Sequence, residues 1–339
     1  MKKSCLFVFV LMFSLMMLPG KAASAEKVIK MDFSSFLPPT DKVSIAFDAW
    51  GKEVERKSNG RIKINFYPGG TLTSGAQAYD SMVRGVTELA SSSLAYSRGR
   101  FPMMELLDLP LGVKTARLAT RLSNDYYRKF KFKDFDDSKI MFFSSHGPGL
   151  LFTRKPVKTL EDLKGMKVKC AAGATVEMLT ALGAAPVAMS MGDTYDALSR
   201  GMLDGFLGPY AVTDTYRLGE VVKYSIENYG TSYFNTFFVA MNKDTWNSLP
   251  KDVRTVIEQI NEEWSLKAGD PWDEGDADGK KFMKARGNIT MPLSKQEDER
   301  WAKQMKPQFD NYVKEKSAKG LPAAEALQWC QDYVKKNQK

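Results

Sequence analysis

Few side chains in this sequence have the types and spacing that covalent catalysis requires. The single histidine, His146, lies between Ser145 and Gly147, and no nucleophile motif surrounds it. A hydrolase of the Ser-His-Asp kind needs a nucleophile and a carboxylate aligned with the histidine base. We therefore assign His146 a structural role and predict that the chain is not an enzyme.

Acidic, cysteine and glycine residues also lack the spacing of catalytic or cofactor sites. Asp134, Asp136 and Asp137 form an acidic group that is typical of a solvated loop rather than of a glycosidase pair. Cys170 and Cys330 stand far apart in the sequence, so a zinc site is not expected. No phosphate loop and no dinucleotide-binding glycine triplet follows a strand pattern. The sequence predicts no cofactor.

The N-terminal segment has the pattern of a secretory signal peptide. Lys2 and Lys3 precede an uncharged apolar run, 6–18, and the small residues 23–25 suit signal peptidase. The run is shorter than the roughly 20 residues that span a bilayer. We predict that 1–25 is removed and that the mature, soluble chain resides in the periplasm.

The composition is that of a large globular protein with a mildly basic surface. The 339 residues include 43% hydrophobic ones and carry a formal net charge of +9. Because the basic residues are scattered among acidic ones, no nucleic-acid-binding face is predicted. A chain of this length is expected to divide into two lobes. Whether Cys170 and Cys330 pair in an oxidising compartment is left open by the sequence.

The elements that would position any site alternate between strand and helix. In the first part of the chain, 28–33, 62–66 and 86–91 have strand patterns, while 43–54 and 75–84 have helical ones. This βαβαβ order predicts an α/β fold. Asn59-Gly60 provides a left-handed end for the first helix.

The alternation resumes after Lys139. Capping-box patterns at Thr159 with Asp162 and at Ser190 with Asp193 predict two short helices. Residues 251–285 have a long helical pattern that Gly269-Asp270-Pro271 interrupts, so a kink is expected there. Further strands are predicted at 140–144, 150–154, 166–170, 206–207 and 237–241.

Four short segments form a further pattern. They are Phe66-Tyr67-Pro68-Gly69-Gly70-Thr71-Leu72, the run 160–169, Gly201-Met202-Leu203-Asp204-Gly205, and Trp246-Asn247-Ser248-Leu249-Pro250. In this order they resemble segments of the solute-binding subunits of TRAP (tripartite ATP-independent periplasmic) transporters of the dicarboxylate-binding type. The resemblance spans nearly the whole mature chain. It implies a monomer that captures a small organic anion, closes on it and delivers it to TRAP membrane subunits.

The same resemblance implies an α/β, two-lobed fold like that of periplasmic binding proteins, with a ligand cleft between the lobes and a long hinge helix. We expect lobe I to comprise 26–146 and about 235–274. Lobe II would comprise 147–234 and about 275–330, followed by a basic tail, 331–339.

The main departure from the family pattern is Lys169. Most members hold a substrate carboxylate with an arginine at this strand end, whereas lysine keeps the charge but lacks the planar fork. The resemblance therefore implies that Lys169 is the main charge partner of the ligand, with a looser geometry that also admits a sulfonate. Other ligand-binding positions implied by the pattern are Ser34, Gly75, Ser92, Ser93, Gly149, Ala172, Met191, Gly208 and Phe237.

Three of these positions, Gly75, Gly149 and Gly208, carry larger polar side chains in relatives. Their replacement by glycine is expected to enlarge the cavity and favour a bulkier, less polar ligand, although turns are an equally common reason for glycine. Aromatic side chains that could stack on such a ligand, or else pack in the core, are Phe206, Tyr210, Phe234 and Phe237.

Other functions also fit the sequence. If Lys169 pairs with a protein carboxylate, the ligand would instead be a neutral solute such as an amide or polyol. A ligand-sensing partner of a membrane receptor would have the same overall architecture.

Overall fold

Two β-sheets organise the chain. The structure is a computed structural model that describes residues 28–338; the predicted signal peptide lies outside the described residues. The mixed α/β architecture agrees with the sequence prediction. None of the helices between residues 28 and 338 combines the length and apolar character needed to cross a membrane.

The first sheet has five strands in the order β2-β1-β3-β10-β4. Its strands are β1 (Ile29–Ser35), β2 (Ile62–Tyr67), β3 (Leu89–Ser93), β4 (Ser138–Ser145) and β10 (Thr236–Asn242). β1 pairs in parallel with β2 and β3, whereas β10 runs antiparallel to β3 and β4. Because it lies between two strands and under helices on both faces, every residue of β10 is buried.

The second sheet has six strands in the order β11-β9-β5-β8-β6-β7. Its strands are β5 (Leu150–Thr153), β6 (Lys167–Cys170), β7 (Ala185–Ala188), β8 (Gly205–Gly208), β9 (Tyr224–Glu227) and β11 (Ile289–Pro292). Only β5 is antiparallel, pairing with β8 and β9. The chain therefore enters this sheet after β4 and returns to the first sheet through β10.

Twelve helices are present among the described residues. They are α1 (Lys42–Lys57), α2 (Ala78–Val83), α3 (Ala116–Phe130), α4 (Ala174–Ala181), α5 (Thr194–Ser199), α6 (Ala211–Thr215), α7 (Lys243–Ser248), α8 (Lys251–Lys267), α9 (Asp270–Ala285), α10 (Lys295–Gln304), α11 (Lys306–Ala318) and α12 (Ala323–Asn337). Short 3₁₀ helices include Leu160–Leu163, where the predicted capping box of Thr159 and Asp162 is present.

The interruption predicted near Pro271 is confirmed, since α8 ends at Lys267 and α9 begins at Asp270. Proline occupies the first turn of α9, where a helix lacks an acceptor for its N–H. Gly269 packs against α3, because a Cβ there would lie 2.6 Å from the Ala116 carbonyl oxygen. Gly279 packs more closely still, since a Cβ there would lie 2.0 Å from the Tyr210 carbonyl oxygen beside α6. Helix α9 therefore contacts elements next to both sheets.

The structure gives two features that the sequence did not determine. The expected basic tail, 331–339, contains the last turns of α12, which extends to Asn337 and packs on α3 through Cys330 and Val334. The segment is helical because its amphipathic pattern places alanines in the core, and the terminal lysines do not prevent this. Cys170 and Cys330 are free thiols in separate apolar clusters, so they do not form the disulfide that was left open.

Candidate functional site

A cavity lies between the two sheets, where strands of both end. Phe36 follows β1, Ser93 ends β3, Ala171 follows β6 and Pro209 follows β8, and all four line it. It encloses about 510 Å³ not filled by atoms, part of which is open to solvent. The carboxyl ends of strands in α/β proteins are the usual place for ligands, so the position of this cavity is that of a binding site.

Among residues 28–338, Lys169 is the only lysine or arginine that lines this cavity. Its neighbours on β6, Val168 and Cys170, point into the core on the other face, which directs Lys169 toward the cavity. The residue is only 2% exposed, and its Nζ contacts the sulfur of Met191 at 3.8 Å. Among residues 28–338 no carboxylate forms an ion pair with it. Burial lowers the pKa of Lys169 to about 8.

Aromatic rings form another part of the cavity wall. Phe36 stacks on Phe237 with ring planes 5° apart and centroids 6.1 Å apart. Trp272 of α9 lies 5.0 Å from Phe237, and Tyr96 meets Phe36 edge-on at 5.5 Å. Such a wall suits the flat, apolar body of a ligand.

Three tyrosines bring hydroxyl groups into the cavity: Tyr96, Tyr216 and Tyr233. Burial is the main cause that raises the pKa of each phenol above its ordinary value. All three are therefore neutral near pH 7 and retain a proton that can be donated. The Tyr96 hydroxyl also accepts a hydrogen bond from the Met191 backbone N–H at 3.4 Å.

His146 joins the two segments that cross between the sheets. Its Nδ1–H donates to the Gly147 carbonyl at 2.6 Å, while Nε2 accepts from the Asn235 backbone N–H at 3.0 Å. Burial lowers the pKa of His146 to about 4, so the ring is neutral near pH 7. With both nitrogens occupied, the ring has no free lone pair to act as a base.

Asn235, next to His146, is held by a buried acid. Its side-chain amide donates to Asp108 Oδ1 at 2.8 Å. Burial raises the pKa of Asp108 to about 7. This network fixes the crossing segments beneath the cavity.

The glycines predicted to enlarge the cavity do not do so. A Cβ on Gly149 would lie 2.3 Å from Cε1 of Tyr233, and one on Gly75 would lie 3.1 Å from the Tyr96 ring. At Gly208 it would meet Val212 at 3.1 Å. None of the three has the positive φ of a glycine-requiring turn. Wall side chains occupy the space that the missing side chains leave, so the glycines shape the cavity without widening it.

The structure brings some of the sequence-predicted residues together and leaves others apart. Those that line the cavity are Lys169, Ser93, Met191 and Phe237. Ser34 and Ser92 are buried behind it, where their hydroxyls contact Thr73 Oγ1 and the Gly75 carbonyl. Ala172 lines a separate depression nearer the surface.

Three predicted aromatic side chains lie in the core. Phe206 stacks on Phe152 with centroids 4.8 Å apart, and the Tyr210 ring meets Phe152 edge-on at 5.1 Å. Phe234 belongs to the apolar cluster around α3. These rings support the second sheet and the crossing segments, in line with the core alternative.

Sequence reasoning missed Tyr96, Tyr216, Tyr233 and Trp272. An aromatic residue directly after a strand end, as Tyr96 is after β3, was a usable signal. Tyr216 and Trp272 gave none, because only the packing of α6 and α9 places them at the cavity. Between residues 28 and 338, no group of three or more histidine, cysteine or acidic side chains could hold a metal ion.

Comparison with solved structures supports the same architecture. A TRAP solute-binding protein from Rhodoferax ferrireducens, solved with copurified benzoate, is 28% identical with a TM-score of 0.85, covering 91% of this chain and 98% of that one. A TRAP solute-binding protein of a marine-metagenome microbe, specific for aromatic acid ligands and solved with 3-hydroxybenzoate, is 26% identical with a TM-score of 0.87. That match covers 92% of this chain and 100% of the other.

Sequence comparison identifies the family. The C4-dicarboxylate-binding periplasmic protein DctP of Rhodobacter capsulatus is 24% identical over 310 residues, which cover 90% of this chain and 92% of the relative. The model of the DctP family matches residues 33–316, most of the chain. The chain therefore belongs to family 7 of the bacterial extracellular solute-binding proteins.

Proposed function

We propose that this protein binds a small organic carboxylate between its lobes and delivers it to the membrane subunits of a TRAP transporter. The observation that carries the proposal is Lys169, a buried cation in the cavity with no protein carboxylate as partner. A buried charge is strongly unfavourable unless it is paired. A ligand carboxylate would supply the missing charge.

Within the carboxylates, we propose an aromatic or similarly flat acid. The rings of Phe36, Phe237 and Trp272 contact one another in a cavity whose lining contains a single cation among the described residues. A C4-dicarboxylate would bring a second carboxylate into this wall, where no second cation is available among the lining residues. The relatives solved with benzoate and 3-hydroxybenzoate support the same class.

The setting of this activity is proposed as follows. The chain is exported by its N-terminal segment, 1–25, and works as a monomer in the periplasm, where the relative from Rhodobacter capsulatus is named as periplasmic. It binds without chemical turnover, which is consistent with the fully hydrogen-bonded ring of His146.

A thermal-shift screen of the mature protein tests the ligand class. The panel contains benzoate, 3-hydroxybenzoate, mandelate, succinate, benzenesulfonate and benzamide. A ligand that binds only the native state raises the melting temperature by mass action. We expect the largest shift with an aromatic carboxylate and none with benzamide.

The matched variants are Lys169→Ala and Lys167→Ala, two lysines of the same strand. Lys167 is exposed and lies outside the cavity. Lys169→Ala should abolish the shift, whereas Lys167→Ala should leave it unchanged. Equal shifts with benzoate and benzamide, or a normal shift in Lys169→Ala, would show that the ligand is not recognised as an anion.

A further inference from the structure

Two tyrosine hydroxyls in the cavity lack a partner in the protein. Tyr233 is only 3% exposed and Tyr216 is half-buried, and both line the cavity. Within residues 28–338 neither hydroxyl forms a hydrogen bond. By contrast Tyr210, behind the cavity, donates to Ser225 Oγ at 2.9 Å. Both hydroxyls are accessible from the cavity and are not used by a protein partner among the described residues, so they are available to donate to a bound acceptor.

The protonation state of these hydroxyls makes them hydrogen-bond donors. The phenols stay protonated near pH 7 because burial raises their pKa. Electrostatic interaction with Cys170, Asp108 and Tyr96 raises the pKa of Tyr233 further. Tyr216 interacts in the same way with Tyr96 and Asp41.

Acceptors are scarce in the same lining. Asp41 is its only carboxylate, and its Oδ1 already accepts from the Val43 backbone N–H as the N-cap of α1. The Asn235 amide donates to Asp108 rather than into the cavity. The cavity lining therefore offers more hydrogen-bond donors than free acceptors, whereas a cationic ligand would need acceptors.

A lysine alone leaves most of a carboxylate unsatisfied. Its ammonium is a point donor, whereas the two carboxylate oxygens offer about four acceptor positions that water no longer fills after burial. An arginine would supply two parallel N–H groups at once. Where lysine supplies one of these two donors, a phenol hydroxyl on a neighbouring element can supply the other.

We propose that Tyr216 and Tyr233 donate hydrogen bonds to the bound anion and, with Lys169, determine the selectivity of the site for carboxylates. This inference rests on the proposed function, because it assigns partners to the ligand that Lys169 attracts.

Calorimetric titration with benzoate tests the two hydroxyls in Tyr216→Phe and Tyr233→Phe. Each substitution removes one oxygen and keeps the ring. Loss of a hydrogen bond to a charged group should weaken benzoate binding about tenfold or more. Because neither hydroxyl has a partner in the ligand-free protein, the melting temperature without benzoate should stay within about 1 °C of the wild type or rise slightly.

Tyr210→Phe is the control, because its hydroxyl bonds within the protein. It should lower the ligand-free melting temperature and leave the affinity for benzoate unchanged. Wild-type affinity in both Tyr216→Phe and Tyr233→Phe, with binding still lost in Lys169→Ala, would overturn this inference alone. If the wild type binds no carboxylate of the panel, the proposed function fails as well.

Discussion

At the scale of single residues, the proposed site places a lysine where its charge is unfavourable in the ligand-free protein. Lys169 occupies a position where water is scarce, and its pKa falls to about 8 for that reason. An ordinary surface lysine would bind a carboxylate weakly, because water screens the pair. Burial lowers the stability of the free protein and strengthens the attraction for an anion.

The unfavourable burial of the Lys169 ammonium predicts an unusual dependence of stability on pH. Between pH 8 and about 10.5 the unfolded chain holds the Lys169 proton that the folded chain has released, so stability rises with pH in this window. Below pH 8 the full penalty applies, on the order of 3 kcal/mol at about 1.4 kcal/mol per pKa unit. Relative to a variant without this lysine, the ligand-free protein should gain stability above pH 8.

Lys169→Met tests this at pH 7 and pH 9.5. At pH 7 the free energy of unfolding of the variant should exceed that of the wild type by about 1–3 kcal/mol, because the buried charge is removed. The contribution of Lys169 to the increase in stability above pH 8 should be lost in the variant. Denaturant titration without ligand measures both, and Lys167→Met serves as the exposed control. A variant less stable than the wild type at pH 7 would contradict the account.

At the scale of elements, the crossing segments decide where the cavity walls stand. Gly149 pairs with Tyr233 across an antiparallel bridge, and its N–H donates to the Tyr233 carbonyl at 2.7 Å. The Tyr233 ring then lies over the space where a side chain of residue 149 would project. Glycine at this position is therefore a packing requirement that sets the direction of the Tyr233 hydroxyl.

Gly149→Ala should consequently destabilise the protein and weaken its ligand binding together. A Cβ 2.3 Å from Cε1 of Tyr233 forces the ring to move, at a cost of about 1–3 kcal/mol for an overpacked site. Chemical unfolding and benzoate titration measure the two effects. Gly192→Ala is the control, because its Cβ would meet only Ser190 Oγ, at 3.8 Å. Unchanged benzoate affinity in Gly149→Ala would show that the Tyr233 ring position does not affect the ligand.

At the scale of the whole molecule, two polar contacts beside the cavity join segments that follow strands of the first sheet to segments of the second lobe. Arg98, which follows β3, forms an ion pair with Glu177 of α4 at 3.1 Å. The two side chains are 59% and 50% exposed. Such pairs contribute little to stability. The Tyr96–Met191 hydrogen bond at 3.4 Å is long. A ligand that contacts both lobes can therefore control whether they stay together.

Small-angle X-ray scattering tests this control. Saturating benzoate should decrease the radius of gyration of the wild type, because the ligand favours the arrangement in which both lobes contact it. Lys169→Ala with the same benzoate should remain as extended as the ligand-free protein. Arg98→Ala should still contract with benzoate, and an equal radius with and without ligand in the wild type would contradict ligand-controlled closure.

The sequence by itself determined the element types, the family and the one cation to examine. Periodicity, capping boxes and Pro271 depend on neighbours a few residues away, so β1 to β3, the Thr159 cap and the break between α8 and α9 could be predicted. Lys169 stood out because it occupies a position that a short family segment marks.

Only the tertiary structure decided what surrounds that cation. Tyr216, Tyr233 and Trp272 reach the cavity through contacts between elements far apart in the chain, and no local pattern encodes such contacts. The same holds for Gly75, Gly149 and Gly208: a sequence shows a missing side chain, whereas only packing shows which neighbouring ring fills its space.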